Sequence, residues 1–363
     1  MLKEGILSLS NSMQFSGSIS GSASTCSGEL VFTTGMVGYS EALTDPSYYG
    51  QILVFTFPLI GNYGVPRLRE SNSKLLSLGF ESEKVRVAGV IISDPSLEAF
   101  HWRSEKPILK WLNESKIPVL TGVDTRHLVQ IIRSTPGLLA SINPQNNSYD
   151  DLKKPRAFFD PSAENILPKV SSTQRKILGQ GKKRIGLLDC GVKWSIVRQL
   201  INNNCEVEIL PWDTDLTSVD CNAWVLSNGP GDPDKTGPLK QNVADLLKQK
   251  RPILGICLGH QILALAAGAQ TERLRFGHRS HNQPVVDLKT GKGYLTSQNH
   301  GYVVIEKTLS TEWKPWFKNA NDFSIEGIIH ESNSFRSVQF HPEAAGGPRD
   351  TGWIIDEFVR DLL

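Results

Sequence analysis

Residues 252–261 read PILGICLGHQ. A short apolar run reaches a glycine, a cysteine follows two residues later, a second glycine stands two residues beyond it, and the pattern then turns helix-like. Gly255-Ile256-Cys257-Leu258-Gly259 has the spacing of a nucleophile elbow, a sharp strand-to-helix turn that projects one reactive side chain. Such a turn strains the backbone of the projecting residue, and its neighbours must be small for strand and helix to approach. The helix that follows points free N–H groups and its positive end at the cysteine. That field contributes about 0.3–1 kcal/mol toward an anion, so a cationic partner, most naturally an imidazolium, has to supply the rest. The plain alternative is a small buried hydrophobe, and the paired glycines at a strand–helix junction argue against it. Cys190, in LLDCGVK, also ends a strand-like run, but it has one flanking glycine and reads as a structural residue in an ordinary βα turn.

Working outward from the elbow, residues 184–363 alternate strand-like and helix-like runs. RIGLLDCG, KWSIVRQLINNN, EVEILPW, AWVLSNG, LKQNVADLLKQK, PILGIC and LGHQILALAAG follow in turn. That alternation predicts βαβ units on a parallel sheet. GYVVIEK, FSIEGIIHES and FRSVQFHPE lie closer together and predict an antiparallel extension, before a final helix in TGWIIDEFVRDLL. Residues 1–142 carry glycine-broken strand-like runs (ELVFTTG, QILVFTF, VRVAGVIIS) and helix-like stretches in RSEKPILKWLNES and DTRHLVQIIRS. FSGSISGSASTCSG reads as turns between short strands, and the polar, proline-punctuated residues 143–183 read as an interdomain connection. The expected architecture is α/β: a β-rich α/β domain (1–142), a linker (143–183) and a parallel-sheet domain with an antiparallel extension (184–363).

The whole chain has 363 residues, enough for about two domains. A net charge of +2 gives no reason to expect nucleic acid or an anionic membrane as partner. The longest apolar stretch, ILVFTFPLIG, is too short to span a bilayer, and the first residues lack a secretory h-region. Five scattered cysteines, never in a CxxC pair, argue against a disulfide framework or a zinc site and predict the cytoplasm. No GxxxxGK[ST] loop is present, so ATP is not bound by that device.

A cysteine nucleophile needs a base, and the base an orienting group. In SVQFHPE, His341 and Glu343 stand two apart after an apolar run, and in extended chain such positions share a face. Glu343 can then hold one ring nitrogen and leave the other for the thiol. His300, in QNHGY, is the alternative base. VLSNGPGDP (225–233) ends a strand without bulky side chains and offers backbone N–H groups for an oxyanion.

SNGPGDP, GICLGHQ and FHPE, in this order and spacing, resemble the class I (triad) glutamine amidotransferases. Residues 28–64 look like the N-terminal domain of the carbamoyl-phosphate synthase small chain, and GVDTRHL, LLDCGVK and FGHRSHNQPV match the same subfamily. The resemblance covers nearly the whole chain. It implies Cys257 as nucleophile, His341 as proton relay, Glu343 as its orienter, and the N–H groups of Leu258 and Gly231 as oxyanion hole. It also implies glutamine contacts at Ser47, Gly229, Gly231, Leu258, Gln261, Asn299, Gly301 and Tyr302. It further implies no metal or cofactor in this chain, and a large-chain partner that uses ATP and Mg with bicarbonate to make carbamoyl phosphate. Two departures stand out: Tyr302 where phenylalanine is frequent, and Ser280 where glycine is usual. A vestigial regulatory subunit and a stand-alone cysteine hydrolase are the competing readings.

Overall fold

A computed structural model describes residues 3–69, 77–145, 157–332 and 334–362. The chain divides into two compact units, Met1–Pro161 and Ser162–Leu363.

In the first unit the strand-like runs close on themselves. Strands β1 (Lys3–Leu9), β2 (Gln14–Gly21), β3 (Cys26–Thr33), β4 (Gln51–Phe55), β5 (Gly89–Ile92), β6 (Pro118–Thr121) and β7 (Leu139–Pro144) form a barrel in the order β1-β7-β3-β4-β5-β6-β2. The β3–β4, β4–β5 and β5–β6 ladders are parallel and the remainder antiparallel. Parallel neighbours need crossovers, which carry helices α1 (Tyr39–Thr44) and α2 (Ile108–Glu114). Strand β4 is buried at all five positions, as a strand covered on both faces must be. Helix α3 (Thr125–Ser134) starts at Asp124, whose carboxylate accepts the His127 N–H at 2.9 Å. Its Leu128, Ile131 and Ile132 join the barrel core with Leu7, Ile52, Ile91 and Leu120.

The Gly/Ser-rich opening departs from expectation: it forms β2 and the start of β3 rather than turns. Closure of the barrel explains the composition. A Cβ at Gly17 would stand 2.6 Å from the Thr121 carbonyl oxygen, and one at Gly28 would run into the Gly50 carbonyl. Small residues here mark close backbone approach.

The expected linker is divided between the units. Residues 146–156 lie outside the described residues. Before them, β7 runs to Pro144; after them, Phe159 packs against Gly50 in the first unit. Leu167 enters the core of the second unit, and β8 (Lys176–Leu178) becomes an edge strand of its sheet. Ile166, Leu167 and Val170 are buried apolar residues of this polar stretch.

The second unit is built on a ten-stranded sheet. Its strands are β8, β9 (Lys183–Asp189), β10 (Cys205–Pro211), β11 (Ala223–Leu226), β12 (Ile253–Ile256), β13 (Thr271–Asp287), β14 (Gly293–Val304), β15 (Trp313–Asn319), β16 (Ile325–His330) and β17 (Phe335–Val338). They are ordered β8-β10-β9-β11-β12-β17-β16-β15-β13-β14. Strands β10, β9, β11, β12 and β17 are mutually parallel, and β16, β15, β13 and β14 continue antiparallel. Helices α4 (Trp194–Asn202), α5 (Leu239–Leu247), α6 (Leu258–Ala266) and α7 (Trp353–Arg360) complete the unit. The 17-residue β13, which carries exposed charges, is one of the strands the apolar pattern missed, with β8 and β15. Among the described residues no helix is long and apolar enough to cross a membrane.

The β12–α6 corner is where packing is tightest. A Cβ on Gly255 would lie 2.6 Å from the Gly259 carbonyl oxygen, and one on Gly259 would enter the Leu226 carbonyl. Gly259→Ala should therefore lower stability by about 1–3 kcal/mol or more. Urea unfolding of the purified chain measures it, and an unchanged midpoint contradicts the packing argument.

Candidate active site

The carboxyl ends of parallel strands gather the chemistry, as they do in open α/β sheets. Residues after β9 supply Lys193, those after β11 the Ser227–Gly231 loop, Cys257 follows β12, and the chain after β17 carries Gln339, His341 and Glu343.

Cys257 has φ 53° and ψ −104°, backbone that non-glycine residues rarely adopt. The strain, about 1–3 kcal/mol, persists because neighbouring contacts over-determine it. The Cys257 N–H donates to the Val338 carbonyl at 2.9 Å, and the Gly259 N–H to the Ser227 carbonyl at 3.0 Å. As the first residue of α6, Leu258 has no helical acceptor for its own N–H. In the loop after β11, Gly231 is left-handed at φ 94° and a Cβ on Gly229 would enter the Cys190 carbonyl. The loop therefore packs against the turn after β9 and against the Leu258 side chain through backbone alone at Gly229. Cys190 itself is 1% exposed, and burial, followed by Asp189, pushes its thiol well up, as befits a structural residue.

His341 lies beyond β17, joined by an isolated bridge to Ser297 rather than within a strand. The shared face expected from extended chain is therefore made by a turn through Pro342, which brings Nδ1 to 2.6 Å from Glu343 Oε1. Among the described residues His341 Nε2 has no nitrogen or oxygen partner, and the Cys257 thiol is its neighbour. Burial would lower the imidazole, but the Glu343 carboxylate overrides it; Lys193 opposes, Cys257 adds, and the net direction is up. Glu343 is itself fully buried, which would raise it, yet Lys193 and His341 hold it below the usual carboxylate range. Lys193 Nζ sits 2.8 Å from Glu343 Oε1. The alternative base, His300, has both ring nitrogens engaged: Nδ1 donates to the Tyr302 carbonyl at 2.9 Å and Nε2 lies 3.0 Å from the Gln298 carboxamide.

Others of the predicted residues lie on α6 and β14 of the second unit. The Asn299 carbonyl is 4.0 Å from Cys257 Sγ, and Gln261 Nε2 donates to the Tyr302 carbonyl at 3.0 Å, so strand β14 carries Asn299, Gly301 and Tyr302 past the sulfur. Ser47 belongs to the first unit, in a short turn where its N–H donates to Asp45 Oδ1 at 2.8 Å. Ser280, the glycine substitute, is buried on β13 opposite Gln298, just before a bulge.

In the sequence Lys193 reads as part of an ordinary βα turn; in the structure it is 5% exposed and ion-paired with Glu343. A signal existed. It is the N-cap of α4, where a helix dipole disfavours a cation, and a locally wrong residue marks a site. A second buried cluster lies nearby on the antiparallel strands: His278, His300 and Glu326 present ligand-type atoms within 4.8 Å of one another. His278 is already held by Glu326 at 3.0 Å and Asp322 at 2.9 Å.

Cys257, His341 and Glu343 thus stand together as a cysteine, an imidazole and a carboxylate, and residues 186–360 match the family described as Glutamine amidotransferase class-I. Residues 7–142 match Carbamoyl-phosphate synthase small chain, CPSase domain. Similar relatives include the carbamoyl phosphate synthase arginine-specific small chains of Phaeosphaeria nodorum (42% identical, 99% of this chain, 76% of that one) and Schizosaccharomyces pombe (41%, 98% and 87%). The multifunctional protein pyr1-3 of Dictyostelium discoideum is 42% identical over 99% of this chain, which spans 17% of that protein. A glutamine amidotransferase structure from Thermotoga maritima is 19% identical, covers 46% of this chain and 78% of its own, and overlays with a TM-score of 0.37. The chain belongs to the carbamoyl-phosphate synthase small chain family.

Two outcomes are expected from these environments. In Glu343→Gln the carboxylate that raises His341 is lost, so the imidazole titration followed by NMR should move down and glutamine turnover should fall by about 100-fold or more. For His278, burial would lower the imidazole, but Asp322 and Glu326 overrule it and hold it at about 9. A raised folded value stabilises fully below the unfolded value near 6.5 and is lost as pH rises through about 9. Urea midpoints measured across that window should fall for the natural chain and stay flatter for His278→Gln.

Proposed function

We propose that this chain is the glutamine-hydrolysing subunit of a carbamoyl-phosphate synthase. The observation that carries the reading is the strained, positive-φ Cys257 beside a buried imidazole, one of whose nitrogens is held by Glu343.

The reaction follows from these groups. Cys257 Sγ adds to the glutamine carboxamide carbon, and the negative charge passes to oxygen, where the N–H groups of Leu258 and Gly231 accept it as hydrogen-bond donors. His341 delivers a proton to the departing nitrogen, the C–N bond breaks, and a γ-glutamyl thioester and ammonia result. Water then loses a proton to His341, attacks the thioester, and releases glutamate and the thiolate. Glu343 keeps the ring in its working tautomer, and the Lys193 ammonium balances the buried carboxylate. Ser47, Gly229, Gly231, Leu258, Gln261, Asn299, Gly301 and Tyr302 are the proposed glutamine contacts; at Tyr302 the carbonyl already serves Gln261, so the phenol in place of a phenyl ring leaves that backbone role intact.

Ammonia must travel unprotonated to remain a nucleophile, so it goes to a large synthetase chain that uses ATP and Mg with bicarbonate. The curated relatives are named arginine-specific small chains and multifunctional pyr1-3 and URA2 proteins, which points to supply of arginine or pyrimidine synthesis. The five free cysteines suit a reducing compartment, the cytoplasm.

Cys257→Ser should abolish carbamoyl phosphate synthesis from glutamine by the assembled enzyme while synthesis from added ammonia continues. Normal glutamine hydrolysis by that variant removes the nucleophile; a natural chain that forms no glutamyl adduct at Cys257, by mass spectrometry, favours a vestigial subunit instead.

A further inference from the structure

The stretch that carries the base carries a second group aimed at the nucleophile. Gln339, two residues before His341, is completely buried, and its Nε2 lies 3.8 Å from Cys257 Sγ. Its backbone N–H is fixed on the Glu326 carbonyl at 2.9 Å, and the preceding Val338 accepts the Cys257 N–H. A carboxamide can present either its oxygen or its N–H groups to a sulfur, and only the second suits a thiolate. Here the choice is made by a neighbour. Gln261, 3% exposed on α6, donates through Nε2 both to the Tyr302 carbonyl and to Gln339 Oε1, each at 3.0 Å. Because the Tyr302 carbonyl can only accept, Gln261 must offer its NH2 end; because Gln261 donates, Gln339 must turn its oxygen that way and its NH2 toward the sulfur.

We propose that Gln339 is a positioning residue that holds the Cys257 sulfur as an anion, its amide oriented by the chain Tyr302–Gln261–Gln339. The proposal rests on Cys257 being the nucleophile. It assigns the amide two moments of use, before attack and when the thiolate leaves the glutamyl group. It also couples the sulfur to strand β14: a shift of the Tyr302 carbonyl would release Gln261 and with it the orientation of Gln339.

The other titratable groups around the sulfur do not substitute for this amide. His341 is the proton relay, with Glu343 and Lys193 behind it. His260 on α6 is pressed down to about 3 by burial and is bonded to Ser337 Oγ at 2.8 Å. His281 on β13 is pressed down to about 4, by burial first and then by Lys193 and His341. His300 on β14 is likewise kept neutral by burial, with His278 and Arg279 adding to it.

The test is the pH dependence of iodoacetamide alkylation at Cys257, read by mass spectrometry of its peptide in the full-length chain purified with its large-chain partner. Gln339→Glu keeps the shape but places a carboxylate at the sulfur, and should raise the alkylation midpoint by about one pH unit or more. Gln339→Met removes the N–H donor and should raise it by about half a unit. A purely packing role would change the rate or the melting temperature and leave the midpoint where it was, so unchanged midpoints in both variants overturn the proposal. If Gln339→Met does not fold, the near-isosteric Gln339→Glu decides alone. In the natural chain, absence of selective, glutamine-protected alkylation at Cys257 would sink the nucleophile reading itself, whereas selective alkylation with unmoved variant midpoints would sink only the amide clamp.

Discussion

The site depends on one steric constraint: strand β12 and helix α6 meet so closely that the residues on either side of the corner can have no side chain. Gly255 faces the Gly259 carbonyl, Gly259 faces the Leu226 carbonyl, and the residue between them is forced to φ 53°. That residue cannot relax without separating the helix from the sheet, because its N–H is anchored on β17 and the Gly259 N–H on the end of β11. The elbow therefore transmits the rigidity of three parallel strands to one sulfur atom. Strain at a single residue is tolerated because the surrounding sheet and core hold it there.

Electrostatics works on the same principle of enforced closeness. A carboxylate with no exposure is costly unless it is paired, and Glu343 is paired twice, with His341 and with Lys193. These two cations have different consequences. The imidazole can gain and lose a proton, while Lys193 and His341 together hold Glu343 below the usual carboxylate range. The carboxylate thus stays an acceptor for Nδ1–H through the proposed cycle, which keeps Nε2 as the working nitrogen. Lys193 comes from the βα turn after β9 and Glu343 from the turn after β17, so the pair joins two turns whose strands are separated by β11 and β12 in the sheet.

Much of this was legible one motif at a time. The glycine spacing around Cys257 announced a strained turn because close packing excludes side chains there, and the structure has that turn. Glu343 two residues from His341 announced a tautomer-fixing pair, which exists, although it is a turn at Pro342 and not an extended strand that makes it. The alternation of apolar runs placed the parallel strands and their helices. It missed β13, because that strand leaves charged residues such as Glu272, Arg273 and Arg275 exposed and so lacks an apolar face to detect. It also misread the small residues of β2 as turns, since glycine and serine signal either a turn or a barrel strand crossed too closely for anything larger.

What the sequence determined by itself was the local chemistry: a thiol at an elbow, an imidazole with its carboxylate, a glycine loop fit to lend backbone amides, and the periodicities that set the fold class. These are properties of neighbours in the chain, and short-range sterics and alternation decide them. Only the tertiary structure could decide which distant groups share the buried space around the sulfur. Lys193 and Gln339 lie 64 and 82 residues from Cys257 along the chain, and no local pattern says that parallel strand order will bring them together. The orientation of the Gln339 amide is further removed still, since it follows from a carbonyl on β14 that can accept and never donate.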